Sequence, residues 1–206
     1  MVDVTKPIVN PRLSEALAAL HRENTPANQD RALRELMTQA HLLAPVVLTP
    51  APPPAVSGQT TLEQNTAIQF QLISSQEGRP FFPAFTNWGE LRKLCGPRDQ
   101  QTLVLTFDDY ASMLQQDSRA AGFVVDPFGD SLTLDRETVG QAVYLNMISK
   151  ARKYIYITTP YLVIDVATNT ALCNAAKAGV DVRIITPHIP DKRYVFEVTR
   201  AHYPPL

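Results

Sequence analysis

Cysteine is almost missing from this sequence. Its 206 residues hold Cys95 and Cys173 and no others. They lie too far apart for the close pairing of a zinc site and are too few for a disulfide framework. Two free thiols in a reducing cytoplasm are expected. Long apolar runs are missing as well, for no stretch approaches the roughly 20 residues of a membrane-spanning helix. The opening MVDVTKPIVNP has neither the basic start nor the apolar run of a secretory signal. A net charge of −1 gives no electrostatic reason to expect nucleic acid as a partner. What the chain does have is apolar material, 45% of its residues, which suits a buried core and argues against wholesale disorder.

Charge is unevenly divided. Residues 1–139 hold 11 Lys/Arg and 16 Asp/Glu, a net of −5, and residues 140–206 hold 8 and 4, a net of +4. Such asymmetry suggests two pieces with different partners. A basic second half suits an anionic phospholipid or a phosphate, and equally a plain solvated face.

The first half alternates short helices and strands. Asn10-Pro11 is a helix start, with Asn to cap and Pro in the first turn. Leu13, Leu17 and Leu20 follow at helical spacing. A second helix is predicted over about 28–41, with Leu33, Leu36 and Met37 inward. LLAPVVLTP reads as a short strand, and APPPAVSGQT (51–60) as a loop. AIQFQLIS (67–74) alternates with period two, so it reads as one half-buried strand, paired through an EGRP turn with FFPAF. NWGELRKL is a short helix, TLVLTF a strand, and DDYASMLQQ a helix opened by acids. GFVVDPFGDSLTL reads as strand, tight turn, strand.

After about residue 138 the order changes. VGQAVYLNMISKARK is an amphipathic helix whose Met147–Ile148 face is expected in the core. YIYITT, a helix closed by Gly179 and VDVRIITP then form β-α-β, which predicts parallel strands. The two strands are nearly continuous apolar runs, as fits strands covered on both faces. DKRYVFEVTRAHY is predicted helical.

Several residues invite a functional reading beside a structural one. Phe81, Phe82, Phe85 and Trp88 form an aromatic cluster, either a binding surface or, more commonly, core. Asp126-Pro127-Phe128-Gly129 is either a functional loop or an ordinary tight turn. The adjacent carboxylates Asp108 and Asp109 suit acid–base work, but at a helix start they more naturally cap it.

Two resemblances meet near residue 139. The helix pair, LLAPVVL, EGRPFFPAFTNWGEL, LVLTFDDYASML and GFVVDPFGDSLTLDRE, taken in order, resemble the N-terminal domain of the SseB family over about residues 10–138. That resemblance implies a small α+β domain with no defined enzymatic activity, an interaction or regulatory module. VYLNMISKARKYIYITTPYLVID, ALCNAAKAGVDVRIITPHIPDKRYV and VTRAHY resemble bacterial cardiolipin synthases of the phospholipase D superfamily over about residues 139–203. Members of that superfamily build their site from two H-x-K-x-x-x-x-D motifs. One His attacks phosphorus, the other protonates the leaving alkoxide, and the lysines clamp the phosphate. Here His21, His41, His188 and His202 are the only histidines, and none has Lys two residues on.

The fold expected is therefore an α+β domain, residues 1–138, followed by an incomplete α/β segment of phospholipase D type, residues 139–206. No catalytic residue, metal or cofactor is assigned. Tyr161, His188, Lys192 and Arg193 are candidates for phosphate or lipid contact. The expected function is a non-catalytic SseB-type interaction module joined to a cardiolipin synthase-like segment, in the cytoplasm or peripheral to the inner membrane. Residues 140–206 would then meet anionic phospholipid at a membrane surface, and the protein partner is unassigned. The alternatives are a fragment or subunit of a cardiolipin synthase whose motifs are supplied elsewhere, or two unrelated pieces joined.

Overall fold

The structure, a computed structural model, describes residues 7–50, 66–96, 100–162, 164–189, 197 and 199–200. It divides into two compact units, Met1–Gly140 and Gln141–Leu206. The fold is mixed helix and sheet.

The first unit opens with a helix pair, α1 (Pro11–Arg22) and α2 (Pro26–Thr38). α2 starts two residues before position 28 and is capped by Thr25, whose side chain accepts from Asn28 N–H. Leu13, Leu17, Ala32 and Leu36 are buried, while Leu33 and Met37 are only half-buried. Asn10 stands at the N-cap of α1 but does not cap it. Its side chain donates to the carbonyls of His41 (2.8 Å) and Thr86 (2.7 Å) and accepts from His41 N–H (3.0 Å). A residue expected to serve its own helix instead ties together segments 31 and 76 residues away.

β1 (Leu42–Thr49) lies between β2 (Ala67–Phe70) and β5 (Thr102–Leu105), antiparallel to both. A second sheet has the order β3 (Ile73–Ser74), β4 (Pro80–Ala84), β6 (Gly122–Val125), β7 (Leu132–Asp135), with β4 and β6 parallel. An isolated bridge between Leu43 and Phe85 links the two sheets. Residues 67–74 are therefore not one strand. Phe70 pairs with Val46, whereas Ile73 pairs with Phe81, so the segment changes sheets between them. The 73–81 pairing keeps the expected hairpin. Gly122 is required where β6 meets β7, because a Cβ there would lie 2.0 Å from Leu134 O.

α3 (Trp88–Cys95) is capped by Asn87, and α4 (Phe107–Gln116) by a full capping box. Thr106 accepts from Asp109 N–H, and the Asp109 carboxylate accepts from Thr106 N–H at 2.7 Å. Asp109 thus caps, as its position suggested. Leu43, Phe85 and Leu91 pack together with Cys95 against them, and Phe107 and Tyr110, both buried, lie against the Phe123 ring. Of the four clustered aromatics, Phe81, Phe82 and Phe85 are buried and Trp88 is 40% exposed.

α5 (Arg136–Lys150) runs unbroken through the place where one unit gives way to the other. Ile148 is buried, but Met147 is 64% exposed, so the expected Met147–Ile148 core face is corrected. Adjacent residues point about 100° apart on a helix, and only one of them can face inward. In the second unit β8 (Tyr154–Thr158) and β9 (Asp181–Ile185) pair in parallel around α6 (Val166–Lys177). Asp165 caps α6, and Gly179 closes it at φ 91°, with Val180 N–H returning to Ala175 O at 3.1 Å. Both strands alternate exposed and half-buried residues, so they are not covered on both faces. Of the last segment read as a helix, Glu197, Thr199 and Arg200 are described and helical, and the rest lies outside the described residues.

Candidate functional site

In the first unit the tight turn after β6 is the most constrained polar feature. Asp126 is buried and adopts φ 45°, a left-handed conformation that non-glycine residues seldom hold. Its carboxylate accepts from Thr86 N–H at 2.9 Å and from Thr86 Oγ1 at 2.6 Å. Thr86 is fully buried, and its carbonyl takes the Asn10 bond. Burial pushes the Asp126 carboxyl above the usual aspartate range, and the two Thr86 donors oppose that rise. The turn also approaches α3 further along. A Cβ on Gly129 would lie 2.8 Å from Glu90 Oε2 and 3.2 Å from Lys93 Nζ, which pair with each other at 2.7 Å. Between these two points of contact Phe128 stands 50% exposed. The turn read as either functional or ordinary is thus fixed from inside and presents an aromatic outside. Sequence reasoning singled out Asp126–Gly129 but missed Thr86 and read Asn10 only as a helix cap, since bonds between polar residues distant in sequence give no periodic signal.

In the second unit, Thr159 N–H extends the parallel ladder to Ile185 O at 3.0 Å. Tyr161 and His188 therefore both follow the carboxyl ends of neighbouring parallel strands, where α/β sheets place ligands. Tyr161 is half-buried in a local turn: Thr159 Oγ1 donates to its carbonyl at 2.8 Å and accepts its N–H at 3.2 Å. His188 is exposed. Lys192 and Arg193 lie outside the described residues. One sheet face carries Ile155, Ile157, Val182 and Ile184, all half-buried. A cavity of about 450 Å³ opens on that side, bounded by Leu162, Leu172, Ala176, Val182 and Ile184. The other face is bare. Tyr156 donates to Asp181 Oδ2 at 2.8 Å, Arg183 bonds Asp181 Oδ1 at 3.0 Å and lies over the Tyr156 ring, and Tyr154 stands 5.0 Å from that ring. Among the described residues there is no cluster of three or more His, Cys, Asp or Glu that could hold a metal ion. No described helix is long and apolar enough to cross a membrane.

These features define a mixed α+β domain with a clamped aromatic turn, joined to a β-α-β unit with a candidate ligand edge. Residues 13–141 match the SseB protein N-terminal domain family, and the chain belongs to that family. Residues 144–206 match the PLD-like domain of cardiolipin synthase. An uncharacterised protein of Streptococcus mutans is 47% identical over 87 residues, 42% of this chain and 18% of its own length. A cardiolipin synthase of Halalkalibacterium halodurans is 42% identical over 71 residues, 34% of this chain and 14% of its own. Cardiolipin synthase 2 of Bacillus cereus is 48% identical over 64 residues, 31% and 12%. The matched segment thus spans less than a fifth of these relatives' lengths. No solved structure matches.

Proposed function

We propose that this chain acts through binding rather than turnover, as an SseB-type interaction or regulatory module joined to a PLD-like cardiolipin synthase segment. The observation that carries the reading is the sequence of the PLD-like part. A phosphohistidine route needs a histidine nucleophile with its lysine two positions on. His188 is followed at that spacing by Pro190, and His202 by Pro204. Within these 206 residues no histidine offers that pair, so they supply no covalent path of this kind by themselves. The polar groups fixed in the first unit support the same view, because the Asp126 carboxylate is spent on two Thr86 donors and is buried.

The test is phosphatidylglycerol turnover by the purified chain, together with its His188→Ala variant. No turnover is expected. A rate that disappears with His188→Ala would sink the reading in favour of a second one, a fragment or subunit of a cardiolipin synthase. That second reading is favoured by the identity to proteins of that name.

The basic segment 140–206, net +4, supports peripheral contact with anionic phospholipid, through Tyr161, His188, Lys192 and Arg193. Sedimentation with cardiolipin vesicles against neutral ones tests this. Co-sedimentation only with the anionic vesicles, weakened by salt, is expected. Equal pelleting with both removes the lipid contact.

A further inference from the structure

Positive charge in the second unit gathers at one end of its sheet. β8 and β9 run parallel, with Tyr154 opposite Asp181, so both strands begin at the same edge. Lys150 closes α5, and Arg152 and Lys153 lead from it into β8. Lys177 closes α6, just before the turn into β9. Asp181 N–H donates to Lys153 O at 3.0 Å, which draws the two approaches together. All four cations are exposed. Among the described residues of this unit Asp181 is the one acid at that edge, and Arg183 pairs with it at 2.9 Å. Of the other acids described, Asp165 caps the far end of α6, and Glu197 lies near Thr199, which bonds Leu162 beyond the end of β8. Lys150, Arg152, Lys153, Lys177 and Arg183 against Asp181 give a net of +4. The remaining bases of 140–206, Lys192, Arg193 and Arg200, are matched in number by Asp165, Asp191 and Glu197. The net charge of the segment thus equals that of the amino edge, opposite the edge that carries Tyr161 and His188.

Apolar groups are exposed beside these cations. Tyr154, the first residue of β8, is 63% exposed and stands 5.0 Å from the Tyr156 ring. Met147 is 64% exposed one turn before Lys150, on the same side of α5. Tyrosine joins an apolar ring to a polar tip, and lysine an apolar stem to a charged head, which suits both to the headgroup level of a membrane. A nucleic acid fits less well. Base stacking needs open ring faces, and Arg183 already lies 5.1 Å over the Tyr156 ring.

We propose that the amino edge of the β8–β9 sheet, through Arg152, Lys153, Lys177 and Tyr154, is the surface by which the second unit meets an anionic membrane. The proposal rests on the peripheral-lipid reading and places its main contact at the opposite end of the sheet from Tyr161 and His188. The full chain has a net charge of −1, so no general attraction draws it to an anionic surface, and binding reports a local patch. Each basic group held near such a surface raises affinity roughly fivefold, and the gain falls as salt rises.

The experiment sediments the full chain with vesicles of phosphatidylcholine and phosphatidylglycerol in equal parts. Arg152→Gln, Lys153→Gln and Lys177→Gln together should weaken binding about a hundredfold, with an unchanged unfolding midpoint. Lys177→Gln alone should weaken it about fivefold. Arg12→Gln, Arg34→Gln and Arg92→Gln, all exposed in the first unit, remove the same charge and should leave binding within about twofold. The proposal is overturned if the two triple variants weaken binding equally. It is also overturned if the amino-edge variant binds as the unmodified chain does while Lys192→Gln with Arg193→Gln loses binding; the lipid reading then stands and only its place changes. Absence of any vesicle binding overturns the lipid reading and this surface together. Tighter binding to a single-stranded oligonucleotide than to the vesicles would make the edge a nucleic-acid contact and overturn it as well.

Discussion

Replacing Asp126 with alanine tests whether the buried clamp organises the first unit. The substitution removes both acceptors of the Thr86 N–H and hydroxyl, at 2.9 and 2.6 Å. Thr86 is fully buried, so its N–H loses a partner without gaining water, at a cost of about 1–3 kcal/mol. Alanine also tolerates φ 45° less well than aspartate does, which adds roughly 1 kcal/mol. Removal of a buried carboxylate returns part of this, leaving a net loss of about 2–3 kcal/mol. For a domain of this size each kcal/mol moves the midpoint by roughly 3 °C, so a drop of about 6–9 °C is expected. Urea unfolding followed by Trp88 emission reads it in the unit concerned, and Thr86→Val with the double variant closes a cycle that isolates the coupling. The pH dependence has a definite sign. Burial raises the folded carboxyl above its unfolded value, so the folded state binds the proton more tightly. That contribution is fully present below the usual aspartate pKa of about 3.9 and is lost as pH rises through the folded value. Asp126→Asn should flatten this slope while keeping the N–H bond. A loss under about 0.5 kcal/mol in Asp126→Ala, the level of an ordinary surface change, would refute the clamp.

Arg136 should be nearly as sensitive. Its guanidinium donates to the carbonyls of Leu114, Asp117 and Ala120, serving the C-terminal end of α4, so Arg136→Ala should cost about 1–2 kcal/mol in thermal unfolding and Arg136→Lys should recover only part. Asp165→Ala removes the cap of α6, a loss of about 1 kcal/mol by circular dichroism at neutral pH. The Thr168 hydrogen bonds lower the Asp165 carboxyl, so its contribution is present above the usual carboxylate pKa and fades on acidification, when wild type and variant should converge. Amide exchange should be faster in β8 and β9 than in β1 and β6, because the outer face of the β8–β9 pair is bare. Equal protection would show that the pair is supported otherwise.

Much of the fold is legible because it is written locally. Pro at the first turn of α1, Asn87 before α3, acids opening α4 and Gly179 after α6 each act within a few residues, and all four helices form where these signals sit. The errors share a cause. Residues 67–74 keep a period-two pattern across a change of partner strand, and periodicity records facing, not pairing. Asn10 is a good cap by type, but three bonds across the fold outweigh one within the helix. In YIYIT the tyrosines count as apolar, which made the strand look covered on both faces; yet Tyr156 uses its hydroxyl on Asp181 and both tyrosines are over half exposed. The aromatic cluster was legible as core for three members, while Trp88 is 40% exposed.

The two units invest their polar groups differently, and that difference bears on function. In the second, Tyr156, Asp181 and Arg183 interact on an exposed face, where solvent screens such pairs and they fix little. Its carboxyl edge brings Tyr161 and His188 into the region where α/β sheets place ligands. In the first, Asn10, Thr86 and Asp126 are buried together, so each bond is made in a medium where leaving it unmade is costly. Such a network specifies one backbone path. The path it specifies ends in Phe128 and passes Trp88, neither of which the core uses. The buried network thus holds the backbone on either side of the turn, while the second unit's polar contacts stay at its surface.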